Sequence, residues 1–394
     1  MKKIMILGAG VFQLPLIRKA KSHGYTVVGV SPRGAYVGLD QIDIHIECDT
    51  RDISDIVNAA RKHSISAVLT TGTDVAIPAL AAVAEDMGLV GPSVHSASTA
   101  SSKSNFRELQ KSIGLYAPEY CSCHCFHDLS TFIASIGEKI VVKPDDSSGS
   151  RGVSVLESDT TDSALLEAYN VAKSNSKSGI VCAESFLVGV EVGGEAFFVD
   201  KELVFFTTTT KHMDGVLVLG HTVPGIISAD MKTKLKDDII AISRALQYND
   251  GPMNFDAIVS GNDVSVLEVG LRNGGNGITE IVERCYGVDL LQMLLENATG
   301  QSIAPVPSKE FVETSSFVFG STKRGILTSI SSVEYVKSKV PEVISITMAK
   351  SVGSRVNEMK SNADLIGYLI LDCGADHYMS VLADIYSSLE IGVS

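Results

Sequence analysis

The chain reads as an α/β protein of several domains that opens with a doubly wound parallel sheet. Over residues 1–115 short β-branched runs alternate with helical stretches, the order that lays parallel strands side by side beneath helices. Beyond residue 115 this alternation gives way to longer strand-rich segments punctuated by glycines. The 394 residues, 45% hydrophobic with 34 glycines, suffice for two or three domains with a substantial core.

In order, residues 4–7, 26–30, 45–47 and 67–70 are expected as strands, and 14–23, 54–63 and 78–87 as helices. The start, Met1-Lys-Lys-Ile-Met-Ile-Leu-Gly-Ala-Gly10, has an apolar run of only about five residues, too short for a secretory segment, and reads as the first strand. No run approaches the roughly 18 apolar residues of a membrane span. Gly8-Ala-Gly10 falls where that strand turns into a helix, the place of a dinucleotide fingerprint, but Gln13 stands where GxGxxG asks for its third glycine. Residues 100–114 suggest a helix ending at glycine, and Ala117-Pro118 enters a new strand, so a boundary is expected near 115. Residues 116–186 then form a small α+β module, with a helix over 162–173 and a strand over 179–184. Residues 187–302 are strand-rich and close on a helix over 287–297. The rest, 303–394, alternates strands with turns at Gly325, Gly353 and Gly367 and suggests a separate β-rich appendix.

The formal charge of -13 comes without a Lys/Arg-rich block, so neither nucleic acid nor an anionic membrane is an expected partner. Seven unevenly spaced cysteines argue against a disulfide framework and for a reducing, cytoplasmic setting.

Chemistry concentrates in Leu267-Glu-Val-Gly-Leu-Arg-Asn-Gly-Gly-Asn276, taken with Asp256. Asp256 and Glu268 interrupt two adjacent apolar runs, and on a hairpin they would sit side by side, sharing hard cations such as Mg2+ on a nucleotide's phosphates. Arg272 follows in a glycine-rich turn, where it could clamp a phosphoryl group or a carboxylate. An ordinary surface hairpin is the plainer alternative. Ile140-Val-Val-Lys-Pro-Asp-Asp-Ser-Ser-Gly-Ser-Arg-Gly-Val153 is a strand ending in Lys143, then a loop whose amides and hydroxyls can wrap phosphate oxygens, or simply a flexible hairpin loop. Glu184 ends a strand and Glu191 follows after a turn; the hinge could offer backbone groups to an adenine edge and a carboxylate to ribose hydroxyls, or carry two solvated glutamates. Cys121-Ser-Cys-His-Cys-Phe-His127 invites a zinc reading, but in an extended strand the three cysteines and His124 face opposite ways, so a half-buried strand is expected. Asp74, at a strand's C-terminal end, could meet an amine or cap the next helix. His221 could orient a substrate or relay a proton, or lie in a loop.

Lys103 on a helix, the Val-Val-Lys-Pro loop, the Glu184/Glu191 hinge and the Asp256/Glu268/Arg272 set, in this order over residues 1 to about 300, resemble the ATP-grasp superfamily. The appendix is similar to that of biotin carboxylase-like and L-amino-acid ligase members. The resemblance implies four regions: an N-terminal domain (1–115), a lid (116–186), a central subdomain with the metal site (187–302) and a C-terminal β-rich domain (303–394). It implies ATP and two Mg2+ ions, or Mn2+, as cofactors. By it Lys103 and Lys143 would contact the α- and β-phosphates, and the loop bearing Ser147, Ser148, Gly149, Ser150 and Gly152 would close over the γ-phosphate. Glu184 with the backbone of Ser185, Phe186 and Leu187 would face adenine, and Glu191 the ribose. Asp256 and Glu268 would bridge the metals, and Arg272 would stabilise the transferring phosphoryl, with Lys143 and His221 also catalytic. Many members carry Asn where this chain has Gly270, so Asn273, Asn276 or water would supply the missing oxygen. The implied activity is ADP-forming ligation of a small carboxylate to an amine through an acyl phosphate, in a chain that could dimerise. Bicarbonate activation of the biotin carboxylase or purine-pathway kind, and nucleotide binding without catalysis, are the alternatives.

Overall fold

The computed structural model describes residues 2–147, 149, 151–215, 217–303 and 311–394. Strands β1 (Lys3–Leu7), β2 (Thr26–Ser31), β3 (Ile44–Glu47) and β4 (Ala67–Leu69) form a parallel sheet in the order β3-β2-β1-β4. Helix α1 (Leu14–Ser22) connects β1 to β2, α2 (Ile53–His63) connects β3 to β4, and α3 (Ile77–Met87) follows β4. Ile4 to Leu7 are all buried, because helices cover both faces of such a sheet. At the β1–α1 turn the Gln13 side chain accepts from the Gly10 amide and donates to the Thr71 carbonyl, and a Cβ on Gly8 would lie 2.9 Å from Gln13 Oε1. The space a dinucleotide's phosphates would need is filled by the glutamine itself.

The helix expected over 100–114 is two helices, α4 (Val94–Ser101) and α5 (Lys103–Ser112). Ser102 is extended between them and its hydroxyl accepts from the Asn105 amide, so a serine cap starts a new helix where periodicity suggested continuity. Lys103 thereby stands at the N-terminus of α5.

The next unit holds β5 (Tyr120–Cys123), α6 (Phe126–Ile136), β6 (Ile140–Pro144), β7 (Ser154–Leu156), α7 (Asp162–Asn175) and β8 (Val181–Ser185). Its antiparallel sheet runs β5-β8-β6-β7 over a core that includes Leu129, Val142 and Tyr169. Cys125 lies outside the strand, at the N-terminus of α6, so the cysteine alternation ends at Cys123.

The large sheet is built from β9 (Val190–Val199), β10 (Glu202–Asp214), β11 (Leu217–Val223), β12 (Gly251–Ser260) and β13 (Asp263–Gly270), with α8 (Ala229–Ala245) packed against β13. Two helices follow, α9 (Ile278–Tyr286) and α10 (Leu290–Ala298), where one was expected. Gly287, taken as a helix start, closes α9 in a left-handed conformation, and the Asp289 side chain caps α10. The chain then adds β14 (Thr314–Gly320), β15 (Gly325–Ile330), α11 (Val333–Lys339), β16 (Val343–Met348), β17 (Arg355–Val356), β18 (Leu365–Leu371), α12 (Ala375–Ser388) and β19 (Ile391–Val393). β14, β18 and β16 continue the large sheet, whose order is β13-β12-β9-β10-β11-β14-β18-β16. β14, the first strand of the C-terminal segment, pairs directly with β11. Gly367 lies within β18 and not at a turn; a Cβ there would meet the Thr347 carbonyl oxygen at 2.6 Å.

One continuous core joins Ile4, Ile6 and Ile17 to Ile281, Leu291 and Tyr368. It holds the parallel sheet against the large one and brings the loop after β4 to the end of β13.

Candidate active site

On the β12–β13 hairpin Asp256 is the cross-strand partner of Glu268, and Asn254 of Gly270. Phe255, Ala257, Val266 and Val269 are buried against the α8 side; alternation along β12 turns Asp256 to the other face, and a β-bulge, where the register shifts between Asp256 and Ala257, brings Glu268 to that face as well although it lies only two residues after Val266. Glu268 is exposed and its carboxylate makes no ion pair among the described residues.

A cleft of about 620 Å³ opens over this face. Of the expected residues, Lys103, Lys143, Ser147 and Gly149 line it, together with residues 184–187, Glu191, Asp256 and Glu268. Gly152 does not; its left-handed backbone turns the chain toward β7. Ser148 and Ser150 lie outside the described residues.

Several side chains are already committed. Glu184 is buried, with Lys143 Nζ 2.7 Å from one oxygen and Arg107 Nε 3.0 Å from the other. Burial would raise its carboxyl, but the two cations outweigh burial and hold it down to about 2. The Glu184 carboxylate is therefore a buried counter-ion, with Ser185 to Leu187 left to present hinge backbone. Arg107 also donates to the carbonyls of Val266 (3.3 Å) and Leu267 (2.7 Å), and Gln110 to Val266 (2.8 Å). Lys103 Nζ donates to the Ser147 carbonyl at 2.7 Å.

Lys211, on β10, was not foreseen. It is buried between Glu191 and Asp256, 3.1 Å from the latter, and these carboxylates overcome burial to raise its ammonium's pKa. A lysine interrupting the strand run Phe205-Phe-Thr-Thr-Thr-Thr-Lys211 was the available signal. Glu191 is thus ion-paired rather than free.

His221 does not reach the cleft. It is buried in β11 with Nδ1 3.0 Å from Thr209 Oγ1, and burial, then the charge of Lys211, pushes its imidazole down to about 3. A neutral, enclosed ring is poorly placed to relay protons.

A second cavity of about 220 Å³ adjoins the first, lined by Asp74, Lys103, Asn254, Glu268, Gly270 and Arg272 among others. Asp74 does not cap α3, whose N-terminus has no side-chain cap; it accepts from Arg272 Nε at 2.8 Å and NH2 at 2.7 Å. Arg272 NH1 donates to Asn254 Oδ1 at 3.0 Å and to the Asn273 carbonyl at 3.3 Å. Beneath lies Glu195, also unforeseen and fully buried, accepting from Asn254 Nδ2 and the Gly274 amide at 2.8 Å each. Burial raises its carboxyl to about 7 although Arg272 and these donors oppose the rise. Neither Asn273 nor Asn276 lines either cavity: Asn273 is buried against Glu195, and Asn276 meets Asn362. The asparagine opposite Gly270 is Asn254.

Among the described residues the one cluster of ligand-type side chains is Cys48, Asp52 and Asp55, away from both cavities and largely exposed. No disulfide joins the described cysteines, and no helix is long and apolar enough to cross a membrane.

No protein-family model matches the chain. Alanine–anticapsin ligase of Bacillus subtilis is 22% identical over 273 residues, 64% of this chain and 58% of that protein. Formate-dependent phosphoribosylglycinamide formyltransferase of Synechococcus elongatus is 27% identical over 196 residues, 47% of this chain and 48% of that one. The matched stretches thus span about half the length of these curated relatives. Among solved structures, L-amino acid ligase from Bacillus licheniformis has a TM-score of 0.83 at 16% identity, covering 100% of this chain and 99% of that one. The biotin carboxylase domain dimer of Hydrogenobacter thermophilus 2-oxoglutarate carboxylase, solved with MgADP and bicarbonate, has a TM-score of 0.79 at 14% identity, covering 100% and 91%. Its parallel N-terminal sheet, its large antiparallel sheet and its end-to-end likeness to these ligases give the chain the ATP-grasp fold.

Proposed function

We propose that the chain is an ADP-forming ligase that activates a small-molecule carboxylate as an acyl phosphate and joins it to an amine. One observation carries the reading: the two cavities meet at a common wall, and both are lined by Lys103, Ser147 and Glu268. A nucleotide in the larger chamber and the carboxylate and amine substrates in the smaller would meet at Glu268. A carboxylate oxygen would attack the γ-phosphorus as the bond to ADP breaks, and the amine nitrogen would then displace phosphate from the acyl carbon through a tetrahedral intermediate.

Lys103 and Lys143 would hold the α- and β-phosphates, with the 146–152 loop over the γ-phosphate, residues 185–187 along adenine and Glu191 at the ribose. Mg2+, or Mn2+, would supply charge neutralisation for the phosphates. The residues fit it: Glu268 is an exposed carboxylate without an ion pair among the described residues, directly across the ladder from Asp256. Two ions suit the pair, with Lys211 holding Asp256 until they bind. Arg272 would lend positive charge to the transferring phosphoryl. The setting would be cytoplasmic and the assembly a dimer, as in the biotin carboxylase structure.

The test is ligand-induced stabilisation. Mg-ADP at about a hundred times its dissociation constant should add roughly 2.7 kcal/mol, and Lys143→Ala should remove most of that gain. No shift at millimolar Mg-ADP would overturn the nucleotide site. A hydroxylamine trap across a carboxylate panel would then reveal any acyl phosphate as a hydroxamate, and ATP-bound enzyme that yields none would be a binding protein.

A further inference from the structure

Gly270 faces the second cavity with no side chain, and a Cβ built there would lie 2.7 Å from Asp74 Oδ1 and 3.1 Å from Arg272 Cζ. The Asp74–Arg272 bridge, which ties the loop after β4 to the turn after β13, thus occupies the volume a side chain at position 270 would need. Arg272 makes four hydrogen bonds, and a guanidinium has five N–H donors, so it has one left to offer a ligand. Asp74 is the reverse case. Its carboxylate can accept about four hydrogen bonds and Arg272 uses two; its side chain is 33% exposed against 13% for Arg272. Glu268, assigned above to the metal, borders the same cavity. Lys103, which also lines it, already donates to Ser147, and Lys177 stands on the loop side with Asp146. Where Asp74 stands, the cavity offers spare acceptor capacity.

We propose that Asp74 is the specificity-determining residue of the second cavity, taking the N–H groups of the amine substrate, and that Gly270 is the residue that lets it stand there. This rests on the ligase reading above. Arg272 orients Asp74, and a ligand that carries an amine gains a contact there that a purely anionic ligand lacks.

A double-mutant cycle tests the packing half without any substrate. Gly270→Ala should lower Tm by roughly 2–6 °C, as overpacking does. In an Asp74→Ala background, where the nearest clashing atom is gone, that penalty should fall by at least half; an equal penalty in both backgrounds overturns the matched pair. The recognition half is read with Mg-ADP bound, by thermal shift against the protein amino acids and, as anionic probes, acetate and bicarbonate. Wild type should respond to at least one amino acid and not to the anions alone, and Asp74→Asn should weaken that response at least tenfold in concentration. Response to the anions alone, or an amino-acid response that Asp74→Asn leaves intact, overturns the assignment. So does no response to any amino acid. Asp74 does not line the larger cleft, so the Mg-ADP shift should persist in the Asp74 variants; its loss in wild type would instead defeat the nucleotide reading.

Discussion

Glu184 and Glu195 are both buried carboxylates, and their surroundings push them in opposite directions. Glu184, held near 2 by Arg107 and Lys143, gives stability that is present above its unfolded value and lost as pH falls from 4.5 toward 2. Glu184→Gln would strand two cations, so urea unfolding at neutral pH should show a loss of roughly 3–5 kcal/mol. Glu195, raised to about 7, works with the other sign. Its stabilising contribution is complete below 4.5 and is lost as pH rises through about 7. Glu195→Gln should therefore flatten the fall in Tm between about pH 5 and pH 8, and a slope equal to wild type would refute the shift. The position of Glu184 was legible because it ends an apolar run. Its chief partner was not, since Arg107 lies 77 residues away in sequence. Glu195 left less trace: it interrupts a strand of small and apolar residues, and only the fold reveals Asn254 and Gly274 beside it.

The β12–β13 hairpin was legible as two apolar runs carrying Asp256 and Glu268 at their inner ends, but the bulge that sets the two carboxylates on one face was not, because period-two alternation alone would put Glu268 with Val264 and Val266. Helix boundaries were less legible. The pattern across residues 94–112 is nearly continuous, and the break at Ser102 is held by tertiary contacts. Its hydroxyl donates to Asp145 Oδ2 at 2.6 Å, while the Ser104 amide donates to Asp145 Oδ1 at 2.8 Å. Asp145 follows the Lys143-Pro144 strand end, so the start of α5 is hooked to the loop after β6. Ser102→Ala removes the cap and the hook together. It should cost about 1 kcal/mol of stability and also weaken Mg-ADP binding, because Lys103 follows directly; stability loss with unchanged nucleotide affinity would separate the two.

At the scale of the molecule, the α/β class and the parallel opening sheet were readable from local alternation. The joining of residues beyond 303 to the large sheet was not, because β11 and β14 meet only through long-range pairing. Periodicity names strands but not their neighbours. Truncation after residue 302 would expose the β11 edge and remove Tyr368 and Ile370 from the core shared with the N-terminal sheet. Such a fragment should lose cooperative thermal unfolding altogether, and a sharp transition near that of the full chain would show the two parts to be independent. The opposite margin of the same sheet is β13, the strand that carries Glu268. An outermost strand offers its ladder to any passing chain, the usual route to edge-to-edge polymerisation. Here Arg107 and Gln110 donate to the carbonyls of Val266 and Leu267, occupying two acceptors of that strand with side chains. The arginine that steadies Glu184 is therefore also a guard against self-association through the strand that carries Glu268.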